Sequence, residues 1–128
     1  RIVTHSVESE SLATMLGDEL TFSISYITGY EPVVKLMGGT NAALRADYDE
    51  TLSLLRDQYG SLSIKLNTID VRNTKWEIRY EYFDSDFVNT KVYGITQGRL
   101  INSIPYYINI EYFGNGKANA ERLLQSIQ

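Results

Sequence analysis

The stretch Gly114-Asn115-Gly116-Lys117 joins an alternating apolar segment to one with helical periodicity, the position a phosphate-binding loop would occupy. A P-loop needs four residues between its first Gly and the Gly-Lys pair, then a hydroxyl residue to hold magnesium. Here Asn115 alone separates the two glycines, and Ala118 stands where the hydroxyl belongs. A dinucleotide fingerprint fails at Asn119 and would require a parallel βαβ unit. The segment is expected to be a turn.

Other candidate chemistry is equally incomplete. His5 is the sole histidine and falls in a polar opening stretch, so no second imidazole exists for a triad or a metal pair. Zero cysteine removes thiolate catalysis, disulfides and sulfur-ligated zinc. Asp84, Asp86 and Asn89 could offer oxygens to calcium, but the central Gly and distal Glu of an EF-type loop are missing. Aspartates there are expected to cap turn N–H groups. Asp47, Asp49 and Glu50 read as a solvated helix face. No catalytic, cofactor-binding or metal-ligating residue is expected.

What remains is aromatic: ten tyrosines against one tryptophan and four phenylalanines. Amphipathic rings suit half-buried sheet positions and binding surfaces alike. Tyr80 and Tyr82 alternate in phase with Trp76 and Ile78, which places them on a core face. Tyr107 alternates with Asn109 and Glu111 and is expected to be more exposed. Tyr82, Tyr107, Asn109 and Glu111 are the candidate ligand or partner surface, should one sheet face or edge be left uncovered.

The elements that must position these residues follow from periodicity. Residues 1–10 read as a flexible lead-in and 11–128 as a single α+β domain, in keeping with the length of 128 residues. Residues 9–18 could form one or two helical turns, with Ser9 or Ser11 as cap and Gly17 as stop. Leu20, Phe22, Ile24 and Tyr26 alternate as a strand, and 28–32 read as a turn. Residues 33–39 fit either a short strand or a helical turn. From Thr40 or Asn41 as cap to Gly60 as stop, Leu44, Tyr48, Leu52, Leu55 and Tyr59 form one helical stripe. Leu62, Ile64 and Leu66 alternate, then Ile69 and Val71 fall out of phase, so a bulge is expected near Asn67 and Thr68. Arg72 and Asn73 suit a tight turn, and 74–83 form the strongest strand. Residues 83–89 read as a loop. A hairpin is expected through Gln97 and Gly98, and a break or edge at Pro105. Tyr106, Ile108, Ile110 and Tyr112 make a last strand. Ala120, Leu123, Leu124 and Ile127 stripe a closing helix. The expected fold is α+β: an antiparallel sheet of about five to six strands, one side solvated, the other covered by two amphipathic helices.

The net charge of -4 and pI of about 4.9 argue against a nucleic-acid partner, because the twelve basic residues form no phosphate-neutralising cluster. No apolar run approaches the ~20 residues of a membrane span. Because the chain begins at Arg1, it is expected to be a processed piece. Its location is expected to be extracytoplasmic, or membrane-associated through a removed anchor, with a cytoplasmic origin left open.

The order of elements, with Phe22-Ser23-Ile24-Ser25-Tyr26-Ile27-Thr28-Gly29-Tyr30 near its start, resembles the PsbP-like fold superfamily over residues 18–127. The family segment often reads Phe-Ser-Ile-x-Tyr-Pro-x-Gly-Trp, and this chain departs from it with Ile27 for Pro and Tyr30 for Trp. The resemblance implies a non-enzymatic accessory or binding role, often outside the cytoplasm, and transfers no functional residue. The expected function is therefore a non-catalytic binding or accessory domain that needs no cofactor and engages a protein or small ligand. Two alternatives stand beside it: a small enzyme or ligand-binding domain with a tyrosine- and carboxylate-lined pocket, and a structural module pairing through a sheet edge.

Overall fold

A computed structural model describes residues 3–8, 20–28, 31–84, 90–114 and 116–127. Within them run β1 (Val3–Glu8), β2 (Leu20–Thr28), α1 (Glu31–Met37), α2 (Thr40–Gln58), β3 (Ser63–Asp70), β4 (Lys75–Asp84), β5 (Thr90–Ile101), β6 (Ile104–Tyr112) and α3 (Lys117–Ile127). All strand pairs are antiparallel, in the order β1-β2-β6-β5-β4-β3. After β2, the two helices α1 and α2 carry the chain to the far edge. From there β3 to β6 meander back until β6 lies beside β2. A 19-residue helix such as α2 is about 28 Å long, enough to cross the roughly 19 Å from β2 to β3.

The α+β class and antiparallel sheet are as expected. The helices are not: three are present among the described residues, and they occupy both faces. On one face α2 sets Ala43, Leu44 and Leu55 against Trp76, Ile78, Tyr80, Tyr82, Val92 and Leu100. On the other, α3 sets Ala120 and Leu124 against Ile95, Ile108, Ile110 and Tyr112. The reason is the alternation of β5 and β6, whose two faces are both apolar enough to need cover. Asp47, expected on the solvated face of α2, is buried, because it follows Ala43 and Leu44 at helical spacing.

Local chemistry explains the other departures. Residues 3–8, expected within the lead-in, pair with β2 from Val3↔Thr28 to Glu8↔Ser23. The alternatives for 33–39 resolve as helix α1, with Glu31 and Pro32 at its start, where a missing N–H costs nothing. Thr40 and Asn41 give α2 no side-chain cap; Gly39 precedes it with φ 111. Nor does Gly60 end it in the left-handed region: Tyr59 turns the chain out in an extended conformation. The bulge in β3 falls between Ile64 and Leu66, not at Asn67 and Thr68, and Leu66 is turned outward as a result. The expected turns at 9–18 and much of the loop at 83–89 lie outside the described residues, as do Gly29 and Tyr30.

The hairpin expected at Gln97 and Gly98 does not exist. Strand β5 runs unbroken through both, and the chain reverses at Asn102 and Ser103, with φ 51 and 62. The glycines that look like turn residues are instead close-approach positions. A Cβ on Gly98 would lie 2.2 Å from Trp76 Cε2, and one on Gly94 would lie 2.0 Å from Tyr80 Cζ. Pro105 does not break β6 either. The Leu100 N–H donates to Thr74 O (3.0 Å), away from β6, so Leu100↔Pro105 is a pair without ladder hydrogen bonds. The Pro nitrogen then faces the β2 side, beyond the last β2–β6 pair at Tyr26↔Tyr106.

Candidate functional site

Strand alternation puts Trp76, Ile78, Tyr80 and Tyr82 of β4 on the α2 face, together with Tyr107, Asn109 and Glu111 of β6. Between them β5 presents Gly94, Thr96 and Gly98, a trough of small residues. Tyr80, Gly94 and Glu111 form one cross-strand row, and Trp76, Gly98 and Tyr107 another. Because each glycine lacks a side chain, the large ring from β4 lies across β5 and reaches β6.

The result at the first row is a cluster of three phenols on one carboxylate. Tyr80 donates to Glu111 Oε2 at 2.7 Å, Tyr59 to the same oxygen at 3.2 Å, and Tyr82 to Oε1 at 2.9 Å. The Tyr80 oxygen also lies 3.3 Å from Asn109 Oδ1, but its single proton serves the shorter contact with Glu111. Tyr59, the residue that ends α2, stacks on Tyr82 with centroids 3.7 Å apart and planes 10° from parallel. Burial, then the Glu111 charge, pushes the Tyr80 phenol far above its ordinary value. Burial, then hydrogen bonding to Tyr59 and the Glu111 charge, does the same to Tyr82. Tyr59 is raised too, chiefly by burial. Phenols held this firmly in the protonated form are hydrogen-bond donors, not proton carriers.

Of the four residues expected at a surface, three meet here: Tyr82, Asn109 and Glu111. Tyr107 does not join them. It lies half-buried against Trp76, with centroids 6.5 Å apart. Sequence reasoning missed Tyr59 and Tyr80 as partners of Glu111. The available signal was Tyr59 at the end of the helical stripe; what was lacking was the strand order that sets β6 two strands from β4.

The opposite face carries a second polar constellation. Glu77 Oε2 accepts from Arg79 Nε at 3.0 Å, and Glu77 Oε1 accepts from Gln97 Nε2 at 2.5 Å. Arg99 Nη2 donates to Gln97 Oε1 at 3.0 Å, and Arg79 Nη1 reaches Glu121 on α3 at 2.5 Å. Burial opposes the Arg79 charge, yet Glu121 and Glu77 more than compensate and raise its pKa. Helix α3 covers the β5–β6 side, and over β3 and β4 a cleft of about 150 Å³ stays open, lined by Thr68, Asp70, Lys75, Trp76, Glu77 and Gln97. Gln97 forms a buried floor at 2% exposure. Asp70 at the rim accepts from Asn73 N (3.2 Å) and Nδ2 (2.8 Å), which holds its carboxyl below the usual range. Arg99 Nε and Trp76 Nε1 are buried with no hydrogen-bond partner among the described residues.

Among the described residues, no group of three or more His, Asp or Glu is placed to hold a metal ion, and no helix is long and apolar enough to cross a membrane. Asp86 and Asn89 lie outside the described residues. Between β6 and α3, Gly114 turns at φ 58 and Gly116 N donates to Phe113 O at 3.1 Å; Asn115 lies outside the described residues. No family model matches the sequence, and no curated protein matches it.

Proposed function

We propose that this chain is a non-catalytic binding or accessory domain of an exported or envelope-associated bacterial protein, engaging a small ligand or a protein. The observation that carries this reading is the contrast between the two faces. On the α2 face the Glu111 carboxylate is occupied by three phenols, whereas the other face keeps an open polar cleft with a buried, oriented floor at Gln97. A concave site with a few convergent polar groups is the usual form of a ligand site. Membership of the PsbP-like superfamily is part of the proposal, supported by element order and the segment from Phe22 to Tyr30.

One observation favours a small enzyme instead: Tyr59, Tyr80 and Tyr82 do converge on a carboxylate. Against it, the phenols sit well above any working pKa, and a general acid or base works best near the operating pH. Edge pairing through β3 is disfavoured by its bulge at Lys65 and by the Lys65 ammonium, which lies 3.2 Å from Glu81; both are devices that keep edges single. Thermal unfolding against calcium, nucleotides, simple sugars, short peptides and common metabolites tests the main reading. A ligand at about 100 times its dissociation constant adds about 2.7 kcal/mol, which is several degrees in a domain this size. A flat response across the panel overturns the small-ligand form of the proposal.

A further inference from the structure

The cleft over β3 and β4 has a charge pattern that selects among ligands. Two cross-strand rows run beneath it on one sheet face, and all their members but Arg99 line it. The first row is Asp70, Lys75 and Arg99, and the second is Thr68, Glu77 and Gln97. Arg79 of the next row pairs with Glu77 and with Glu121 on α3, so three carboxylates and three cations stand together with no net charge.

That pattern is a poor match for most ligand classes. A simple anion would meet Asp70 and Glu77, and a metal cation would meet Lys75 and the Arg79 paired with Glu77. A sugar would want an aromatic platform, but the Trp76 ring lies over Gly98 on the other face at 1% exposure. An apolar molecule would desolvate every polar wall. A small molecule carrying both charges meets none of these objections. Lys75 and Glu77 stand two residues apart on one face of β4, about 6.7 Å along the strand, so one small molecule carrying both charges can face both at once.

We propose that this cleft binds a small zwitterion of the α-amino acid class. The ligand carboxylate lies toward Lys75, and its ammonium toward Glu77 and the hydroxyl of Thr68 opposite it. Lys75 suits the role because it makes no ion pair within 4 Å among the described residues; its attraction to Asp70 is longer-ranged. Glu77 is held in place by Arg79 and by Gln97, so its position is set before a ligand arrives. A cleft near 150 Å³ takes in about six to eight non-hydrogen atoms, so alanine and serine fit it whole, and a longer side chain would extend through its open mouth.

This inference rests on the binding reading above, and its test separates the two. Isothermal titration with alanine and serine is compared with acetate and methylammonium, which carry one charge each. Alanine or serine is expected to bind with a dissociation constant on the order of 1 mM, and the half-molecules at least about tenfold more weakly. Lys75→Met, and independently the conservative surface change Thr68→Val, should each weaken alanine by about tenfold or more while the fold persists by circular dichroism. Acetate binding as well as alanine, or unchanged alanine affinity in both variants, overturns the zwitterion assignment. If alanine and serine fail but another compound stabilises the protein in the thermal panel, the ligand class is wrong and the binding reading stands. If nothing binds in either assay, the zwitterion assignment and the small-ligand form of the binding reading both fall.

Discussion

Raising the pH above 10 should destabilise this protein through the phenols around Glu111. The pKa values of Tyr80 and Tyr82 are raised in the folded state, first by burial and then by their surroundings. In the unfolded chain they return to about 10. The folded state therefore holds more protons above pH 10, so the stability these groups contribute is complete below that value and is lost as pH climbs. For one phenol that stays protonated when folded, the loss by pH 11 is RT ln(1 + 10), about 1.4 kcal/mol. Tyr80 is only 2% exposed, so it should show nearly the full amount. Tyr82, at 8%, should come close. Urea unfolding at pH 9 and pH 11 should therefore differ by about 3 kcal/mol in wild type from these two groups, above a background from lysines. Tyr80→Phe should cut that difference by about 1.4 kcal/mol, whatever it costs at pH 9. Ultraviolet titration supplies the independent check: some tyrosines should ionise only with unfolding. The reasoning is refuted if all ten ionise reversibly near pH 10, or if Tyr80→Phe keeps the whole pH difference.

Four backbone and side-chain changes test the packing account by chemical denaturation. Gly98→Ala places a Cβ 2.2 Å from Trp76 Cε2 and should cost about 3 kcal/mol, whereas Gly60→Ala, with nothing within 4 Å, should stay within about 0.5 kcal/mol of wild type. Equal effects at the two sites would discard the close-approach explanation. Ser103→Gly should stabilise by up to about 1 kcal/mol, because Ser103 holds φ 62 in the β5–β6 turn; a loss of stability there would mean the serine side chain matters more than the backbone. Glu111→Ala leaves three phenols without their acceptor and should cost about 3 kcal/mol or more, and a change below 1 kcal/mol would deny the cluster a structural role.

The strands and long helices were legible because their apolar periodicity is local. Trp76, Ile78, Tyr80 and Tyr82 are buried as their alternation requires, and Leu44 and Leu55 lie on the buried stripe of α2. What the sequence hid was long-range. Gly94 and Gly98 resemble turn residues until the strand beside them is known to carry Tyr80 and Trp76. Glu111 resembles a surface residue until β6 is placed two strands from β4, where the phenols can reach it. Tyr107 looked exposed by alternation with Asn109 and Glu111, but the glycine opposite it admits Trp76 to its side. The cleft was invisible for the same reason: Thr68, Glu77 and Gln97 come from three strands and share only a register row.

The claim that this is a binding domain with its site on the β3–β4–β5 face is tested most directly by amide chemical-shift mapping during titration with small ligands. The account expects saturable shifts confined to the cleft, at Thr68, Lys75, Glu77 and Gln97, with the amides of Tyr59, Tyr82 and Glu111 unmoved. Shifts centred on Tyr59, Tyr82 and Glu111 instead would contradict it and move the site to the tyrosine cluster.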